Sequence, residues 1–336
     1  MFWASCKKQE NHPYYMPKII NAIIRFAKDW TLPISMLSGV AGYFAWKAIP
    51  GHEAYSAEVN ANIAWVQPIL IFCMLLVSFC KVKIKEFTLK WWHLWLCLFQ
   101  VSMFSLLAFV ACLNIDYNLK VVVECAMLCF ICPTATAAAV VTSRLGGNQA
   151  SIVSYTIIIN LVTSLAVPLV LPHVHDIGGM AFLPALLTIL AKVFPLLICP
   201  LFLACLIRQF LPRLNEKIVS YRNLAFYLWA ISLALAIAVS AKSLVHSTVN
   251  GWCQLGMATV SLLACLVQFA FGKCIGAREG ERISGGQACG QKNTVFAIWL
   301  GYTFLDPVTA LAGGFYSIWH NVINSYQLYR KQHEKP

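Results

Sequence analysis

Three ionisable side chains lie inside long apolar stretches of the sequence: Lys292, Lys192 and Glu124. A charged group at the centre of a membrane-spanning helix costs roughly 2.5–3.5 kcal/mol on insertion scales, so such residues usually have a function. Lys292 stands between Gln291 and Asn293, whose amides could surround its ammonium group. Lys292 could hold a carboxylate, take the place of a metal cation, titrate in proton coupling, or simply bond carbonyl groups of an interrupted helix.

The other two ionisable residues have simpler explanations. Lys192 has no polar neighbours in sequence, so it could equally well reach the membrane surface or pair with another group. Glu124 follows Lys120 by one helical turn, and an i, i+4 pair among the lipid headgroups accounts for both.

Motifs of enzymes and metal proteins are weak or missing. His173, His175 and Asp176 could bind a metal, although a hydrated loop is the simpler interpretation, and Cys129 and Cys132 form a CxxC pair without a second pair. The sequence has no HExxH, GxSxG or Walker-type phosphate loop. We therefore expect neither an enzyme nor an ATP-driven pump, and no metal centre or cofactor.

Uncharged polar residues cluster near two irregular stretches, 132–139 (CPTATAAA) and 284–293 (SGGQACGQKN). Pro133 has no amide hydrogen and clashes with the preceding turn, while the second stretch is rich in glycine. Backbone groups freed at a helix break in hydrocarbon need partners, so such breaks survive where protein, water or ligand satisfies them. We predict a substrate and ion-coupling site from these residues: Lys292, Gln291, Asn293, Gln287, Thr134, Thr136, Thr156 and Gln100.

The elements that position this site must be membrane helices. The 336 residues are 60% hydrophobic and only 11% charged, with a mean hydropathy of +0.70. This composition requires lipid as solvent, and the apolar runs do not alternate as barrel strands would. We predict an all-α membrane protein with ten spans, numbered in chain order: 31–49, 62–80, 91–113, 118–143, 149–171, 181–207, 218–241, 252–274, 284–304 and 307–328.

Charge sets the orientation. With the N-terminus inside, 20 of the 25 Lys and Arg residues fall on inner loops and tails, three fall outside (Lys47, Lys120 and Lys242), and Lys192 and Lys292 lie within spans. This distribution predicts a plasma (inner) membrane protein with both termini cytoplasmic. The net charge of +12 is thus a topology signal and does not indicate a nucleic-acid partner. Residues 14–28 predict an amphipathic helix on the inner surface, and residues 1–10 lack the apolar core of a secretory signal.

Matched breaks in spans 4 and 9 indicate an internal repeat. Five spans per half is an odd number, so the second half inserts with opposite orientation, and broken helices 4 and 9 would cross near the midplane. The predicted organisation is a cytoplasmic N-terminus (1–28), repeat 1 (29–172), repeat 2 (173–329) and a cytoplasmic tail (330–336).

The sequence resembles the bile acid:sodium symporter family. The resemblance rests on residues 132–142, 147–148 and 168, which are similar to the fourth and fifth helices of that family, on 192–208, and on the Trp-His-Asn run at 319–321. It implies ten helices in a four-helix panel and a six-helix core, with two sodium sites behind the crossed helices and an organic-anion cavity between the domains.

The differences from the family pattern concern the ion sites. Ala138 and Ala139 stand where the family has Ser-Asn sodium ligands, and the family's E-x-G-x-Q-N motif reads Gln287 to Lys292 here. Thr156, Gln291 and Gln100 resemble retained members. Sodium prefers several oxygens and a carboxylate, so these positions form at most vestigial sodium sites.

Three functions are consistent with the residues. The first is an alternating-access carrier of an organic anion, either bile acid-like or a small carboxylate, that works without sodium because Lys292 replaces a coupling cation. The second is a conventional sodium symporter with rebuilt sites, and the third is a non-transporting membrane receptor on the same fold. We expect contact with lipid and a monomer or weak oligomer.

Overall fold

The computed structural model describes residues 31–82, 87–221 and 224–333. These residues are helical or irregular, and no β-strand lies among them. The amphipathic helix expected at 14–28 falls outside the described residues. The prediction of an all-α protein is therefore confirmed for the described part of the chain.

Thirteen α-helices and one 3-10 helix (Pro307–Ala310) make up this part of the chain. The α-helices are α1 (Thr31–Lys47), α2 (His52–Cys80), α3 (Trp91–Ala111), α4 (Tyr117–Ile131), α5 (Ala138–Leu145), α6 (Gln149–Val174), α7 (Phe182–Phe210), α8 (Pro212–Ser220), α9 (Leu224–His246), α10 (Gly251–Ala277), α11 (Arg282–Gly290), α12 (Thr294–Phe304) and α13 (Leu311–His333).

Six of these helices are long and apolar enough to cross a membrane: α2, α3, α6, α7, α9 and α10. Large apolar side chains remain exposed along them; Trp65 on α2 and Phe202 on α7, for example, are exposed by 75% and 62%. Apolar surface of this extent is unfavourable in water and favourable in lipid. Length and composition therefore indicate an integral membrane protein.

The boundaries of two predicted spans differ from the structure. The helix expected at 62–80 begins at His52, and the span expected at 218–241 is replaced by the short helix α8 and by α9. Lys242, expected in an outer loop, lies within α9 and donates a hydrogen bond to Asn60 Oδ1 at 2.6 Å. An internal acceptor thus allows α9 to extend past its charged residue.

The segments predicted as spans 4 and 9 are each divided into two helices. The lengths are 15 and 8 residues for α4 and α5, and 9 and 11 residues for α11 and α12. At about 1.5 Å per residue, the two pairs rise about 34 Å and about 30 Å, close to the ~30 Å hydrocarbon layer. Neither member of a pair would cross alone.

Most of the helices pack in two groups, which are joined by the contact of α6 with α7. α1 packs along α9, and α2 lies against α7 and α9, while α4 lies against α3 and α10 and α13 lies against α10. The most extensive pairing joins α10 to α11. The two divided spans belong to this second group.

Close approach between α10 and α11 depends on glycine. A Cβ atom at Gly285 would overlap the carbonyl oxygen of Gly272 and would lie 2.9 Å from Cα of Gly276. The sequence prediction placed the whole of 284–293 in the second break, and this was wrong, because 282–290 is helical. The glycines remove side-chain bulk instead of unwinding the helix.

Candidate functional site

The two interruptions contact each other directly. The first, 132–137, separates α4 from α5, and the second, 291–293, separates α11 from α12. Thr134 and Lys292 form an isolated antiparallel β-bridge. The amide of Ala135 donates to the carbonyl of Gln291 at 2.8 Å, and that of Asn293 donates to the carbonyl of Pro133 at 2.8 Å. Each interruption therefore supplies backbone partners to the other.

Side chains from three elements bond the last carbonyl groups of α4. Gln268 Nε2 donates to the carbonyl of Cys129 at 3.1 Å, Lys292 Nζ to that of Phe130 at 3.2 Å, and Thr163 Oγ1 to that of Ile131 at 3.0 Å. The terminal carbonyls of a helix lack intrahelical partners. All three are satisfied here without water.

The end of α11 is satisfied in a similar way. Thr134 Oγ1 donates to the carbonyl of Ala288 at 2.7 Å, and the Tyr316 hydroxyl donates to that of Gly290 at 2.8 Å. The predicted site residue Thr134 thus has a structural contact that explains its burial. Tyr316 also accepts a hydrogen bond from Gln268, which joins the two helix ends.

Lys292 is almost completely buried, with 1% of its surface exposed. Its ammonium group donates to Gln100 Oε1 and to the carbonyl of Phe130. An ammonium group has three donor hydrogens, so one remains without an acceptor among the described residues. The C-terminal end of α4, which carries partial negative charge, stabilises the cation.

Tyr155 orients the amide of Gln100. Gln100 Nε2 donates to the Tyr155 hydroxyl, and both residues are fully buried. This contact directs the amide oxygen of Gln100 towards Lys292. The Tyr155 ring packs against Trp92 and His93, so its position is fixed by the start of α3.

No carboxylate of the described ranges pairs with Lys292. Four thiols, those of Cys97, Cys129, Cys132 and Cys289, lie close enough to interact with the ammonium group electrostatically. A buried charge is normally paired. In this structure the partial charges of an amide oxygen and a helix end serve instead of a counter-ion.

Lys292 borders a cavity of about 860 Å³. The cavity is lined by the end of α2, both interruptions, α5, α6, α9 and α13, and its lining includes the aromatic rings of Phe226 and Trp229. Its described lining residues include Lys81, Arg144 and Lys292 and no Asp or Glu, although the partners of the Lys292 ammonium group, Gln100 and Phe130, are not among them. The volume suits a drug-sized ligand, and the charges suit an anion.

The structure brings most predicted site residues to this cavity and leaves others beside it. Thr136, Thr156, Gln291, Lys292 and Asn293 line the cavity. The remaining predicted residues, Gln100, Thr134 and Gln287, are buried behind it, and Gln287 Nε2 bonds Asn324 Oδ1 at 3.0 Å on α13.

Several buried amide atoms have no protein partner. Gln291 Oε1, Gln287 Oε1 and Asn160 Oδ1 are acceptors of this kind, and Asn293 Nδ2 is a donor of this kind. An unpaired buried polar group is unfavourable by about 1–3 kcal/mol. Water or ligand is therefore expected to contact them.

Two of the positions predicted as vestigial sodium sites offer no side-chain oxygen to a sodium ion. Ala138 is fully buried and Ala139 is half-buried, and both offer methyl groups where a hard cation requires oxygens. Thr156 Oγ1 donates its hydrogen to the carbonyl of Ile152 at 2.8 Å and keeps its lone pairs. The ammonium group of Lys292 would moreover repel a second cation.

The structure bears on the explanations predicted for the other two ionisable residues, Glu124 and Lys192. Glu124 does not pair with Lys120 as predicted, because Lys120 donates to the carbonyl of Val174 at 3.2 Å while Glu124 lies 3.9 Å from His175 Nδ1. Lys120 therefore bonds a terminal carbonyl of α6 instead of the Glu124 carboxylate. Lys192 is exposed, and its Nζ lies 5.5 Å from the centroid of the Phe304 ring, a cation–π distance.

The H-x-H-D run makes local contacts. Asp176 accepts a hydrogen bond from the amide of Gly179 at 2.8 Å, and the His173 ring packs on Phe182. No group of metal-binding side chains was found among the described residues.

Four residues of the site were missed by sequence reasoning: Tyr155, Thr163, Gln268 and Tyr316. Gln268 carries a sequence signal, because a glutamine inside an apolar run must find a partner. The tyrosines and Thr163 are ordinary in membrane helices, so only the fold identifies their roles.

Comparisons with protein-family models and with curated proteins found no match.

Proposed function

We propose that this chain is a carrier for an organic anion that works by alternating access and does not require sodium. The anion would bind in the cavity beside the crossed interruptions, with its acidic group at Lys292. The proposal includes ten spans in two inverted five-helix repeats (29–172 and 173–329), in a plasma (inner) membrane with cytoplasmic termini.

The observation that carries the proposal is the incomplete pairing of Lys292. Its ammonium group is buried, has no carboxylate partner and only two hydrogen-bond acceptors within the described residues, and belongs to a residue that lines a large cavity. An anion entering the cavity would complete that pairing. The cations Lys81 and Arg144 at the same cavity would raise the local concentration of anions.

The crossed interruptions support the transport mechanism. Irregular backbone at membrane depth is tolerated where it lines a cavity, and transporters place their substrates at such sites. Lys292 is joined by its backbone to the first interruption and by its side chain to α3 and α4. A fixed cation at the crossing would occupy the place of a coupling ion, and the four-helix panel would move past it.

Ligand-dependent stability tests the binding half of this proposal. The purified protein is heated with a panel of carboxylates and sulfonates, including bile acids and small keto acids, with sodium or choline as cation. We expect at least one anion to raise the unfolding midpoint equally in both salts. The effect should be lost in Lys292→Gln and kept in Lys192→Gln, a matched control at an exposed lysine. Stabilisation that persists in Lys292→Gln would contradict the assignment.

A conventional sodium:organic anion symporter is the second candidate. The buried oxygens of Gln291, Gln287 and Asn160 that lack partners favour it, since oxygen atoms of this kind bind hard cations. A rise in unfolding temperature with sodium, absent with choline and reduced in Gln291→Leu, would select this candidate.

A further inference from the structure

A second charged cluster lies away from the cavity, where three helices of the second group end or begin. Lys273 is four residues before the end of α10, Arg282 is the first residue of α11, and Arg330 is near the end of α13. If α10 spans the bilayer, all three lie at the level of the lipid headgroups.

Packing brings these cations together. The alkyl chain of Lys273 crosses Gly286, where an added Cβ would lie 2.6 Å from its Cγ and 3.3 Å from its Cε. Arg282 is one helical turn before Gly286 on the same face of α11. The positive charges of Arg282 and Arg330 both act on Lys273.

Polar groups without partners border the cluster. Gln287, next to Gly286, donates to Asn324 Oδ1 at 3.0 Å and to Gln327 Oε1 at 3.5 Å. Asn324 Nδ2 and Gln327 Nε2 are buried and have no partner among the described residues, and Asn324 as a whole is only 4% exposed. Gln327 is three residues after Asn324 and three residues before Arg330, so it is a neighbour of both on the surface of α13.

The acidic residue nearest in sequence does not neutralise the cluster. Glu281 accepts hydrogen bonds from Trp92 Nε1 and Asn148 Nδ2 and lies 3.9 Å from Lys90. Within the described ranges, no carboxylate forms an ion pair with Lys273, Arg282 or Arg330. Positive charge and free donors are what an anion with several oxygens requires.

We propose that Lys273, Arg282 and Arg330, together with the amides of Asn324 and Gln327, bind the headgroup phosphate of an anionic phospholipid. Basic pockets between helices at the membrane surface bind such headgroups. Exposed Tyr326 and Tyr329 on α13 provide the amphipathic rings that lie at the headgroup level. The acyl chains would lie along the exposed apolar surface of α13, including Val322.

Lipid retention in native mass spectrometry tests this site with the full chain in detergent. The probe is phosphatidylglycerol, compared with phosphatidylcholine, inorganic phosphate and glycerol 3-phosphate. The wild type should retain phosphatidylglycerol in preference to phosphatidylcholine. The double variant Arg282→Gln, Arg330→Gln should bind it about thirtyfold more weakly, because each cation near a headgroup contributes about a fivefold effect.

The control double variant Arg213→Gln, Lys217→Gln removes the same charge from the exposed helix α8 and should change affinity less than twofold. The single variant Arg330→Gln, at an exposed position, should weaken binding about fivefold and provides a test should the double variant misfold. Equal loss in the control, equal retention of phosphatidylcholine, or inorganic phosphate binding as tightly as the lipid would each overturn the proposal. None of these results depends on Lys292, so they do not test the transport proposal, which has its own experiments.

Discussion

The two interruptions meet the same physical requirement with different residues. The first interruption contains a proline, and the carbonyls before it are bonded by Gln268, Lys292 and Thr163 from other elements. The second follows a glycine-rich helix whose end is bonded by Thr134 and by Tyr316. Both therefore survive in apolar surroundings because other elements satisfy their freed carbonyls.

The difference between them is charge. The residues of the first interruption that line the cavity are Ala135, Thr136 and Ala137, and none is ionisable, whereas the second supplies Lys292. The ammonium group of the second interruption donates a hydrogen bond to the carbonyl of Phe130, at the end of α4. The proposed anion site would thus depend on the second interruption for its charge and on the end of α4 for holding that charge in place.

Removing the charge should have the largest effect. In Lys292→Met, the initial rate of anion uptake into proteoliposomes should fall at least about 100-fold, because a buried ammonium–carboxylate contact is lost. Lys192→Met should retain a rate within about twofold of the wild type. Uptake by Lys292→Met at the wild-type rate would show that the lysine only caps the end of α4.

Disturbing the glycine contact should weaken the second interruption specifically. Gly285→Ala should lower the free energy of unfolding by about 1–3 kcal/mol, because its Cβ would overlap the backbone of Gly272 on α10. Gly42→Ala on α1 is the control, since an added Cβ there meets no atom within 4 Å. Chemical denaturation in detergent measures both, and equal stability of the two variants would contradict the described packing.

Giving Lys292 an internal counter-ion tests whether its unbonded donor hydrogen binds the anion. Gln100→Glu places a carboxylate against the ammonium group, which should weaken anion binding about tenfold because the charge is already compensated. Gln100→Met removes the acceptor without adding charge and should bind the anion with unchanged or higher affinity. Binding titrations compare the two, and weakening by Gln100→Met equal to that by Gln100→Glu would indicate loss of structure instead.

The smallest effects should come from the hydroxyl groups that bond the freed carbonyls. Thr134→Val and Thr163→Val should each lower stability by about 1 kcal/mol, a typical value for one buried hydrogen bond. Because neither hydroxyl group is hydrogen-bonded to Lys292, anion uptake should stay within about threefold of the wild type. A tenfold loss of uptake in Thr163→Val alone would place that residue in the transport step.

Much of the membrane architecture could be predicted from composition and the spacing of apolar runs. Pro133 marks the first interruption, because a proline removes a helical hydrogen bond at its own position in the chain. The second was located only approximately, because Gly285 and Gly286 suit both an unwound segment and close helix packing. Only the fold distinguishes the two, by placing α10 against these glycines.

The partners of Lys292 could be predicted only in part. Gln100 is a polar residue in an apolar run, so it could be identified as a candidate, but its contact with Lys292 joins residues 192 positions apart. The carbonyl of Phe130 has no sequence signal, since every residue carries one. The pairing predicted between Lys120 and Glu124 was wrong for the same reason: Lys120 bonds a backbone carbonyl of α6, and a backbone carbonyl has no sequence signal.

The direct test of the central claim is anion flux into proteoliposomes with sodium or choline as the external cation. The probe is the anion that stabilises the wild type most, and Lys292→Gln is the paired variant. We predict equal wild-type flux in both salts and no flux above empty liposomes in the variant. Flux that disappears when choline replaces sodium would contradict sodium independence, and binding without flux in either salt would identify a receptor instead of a carrier.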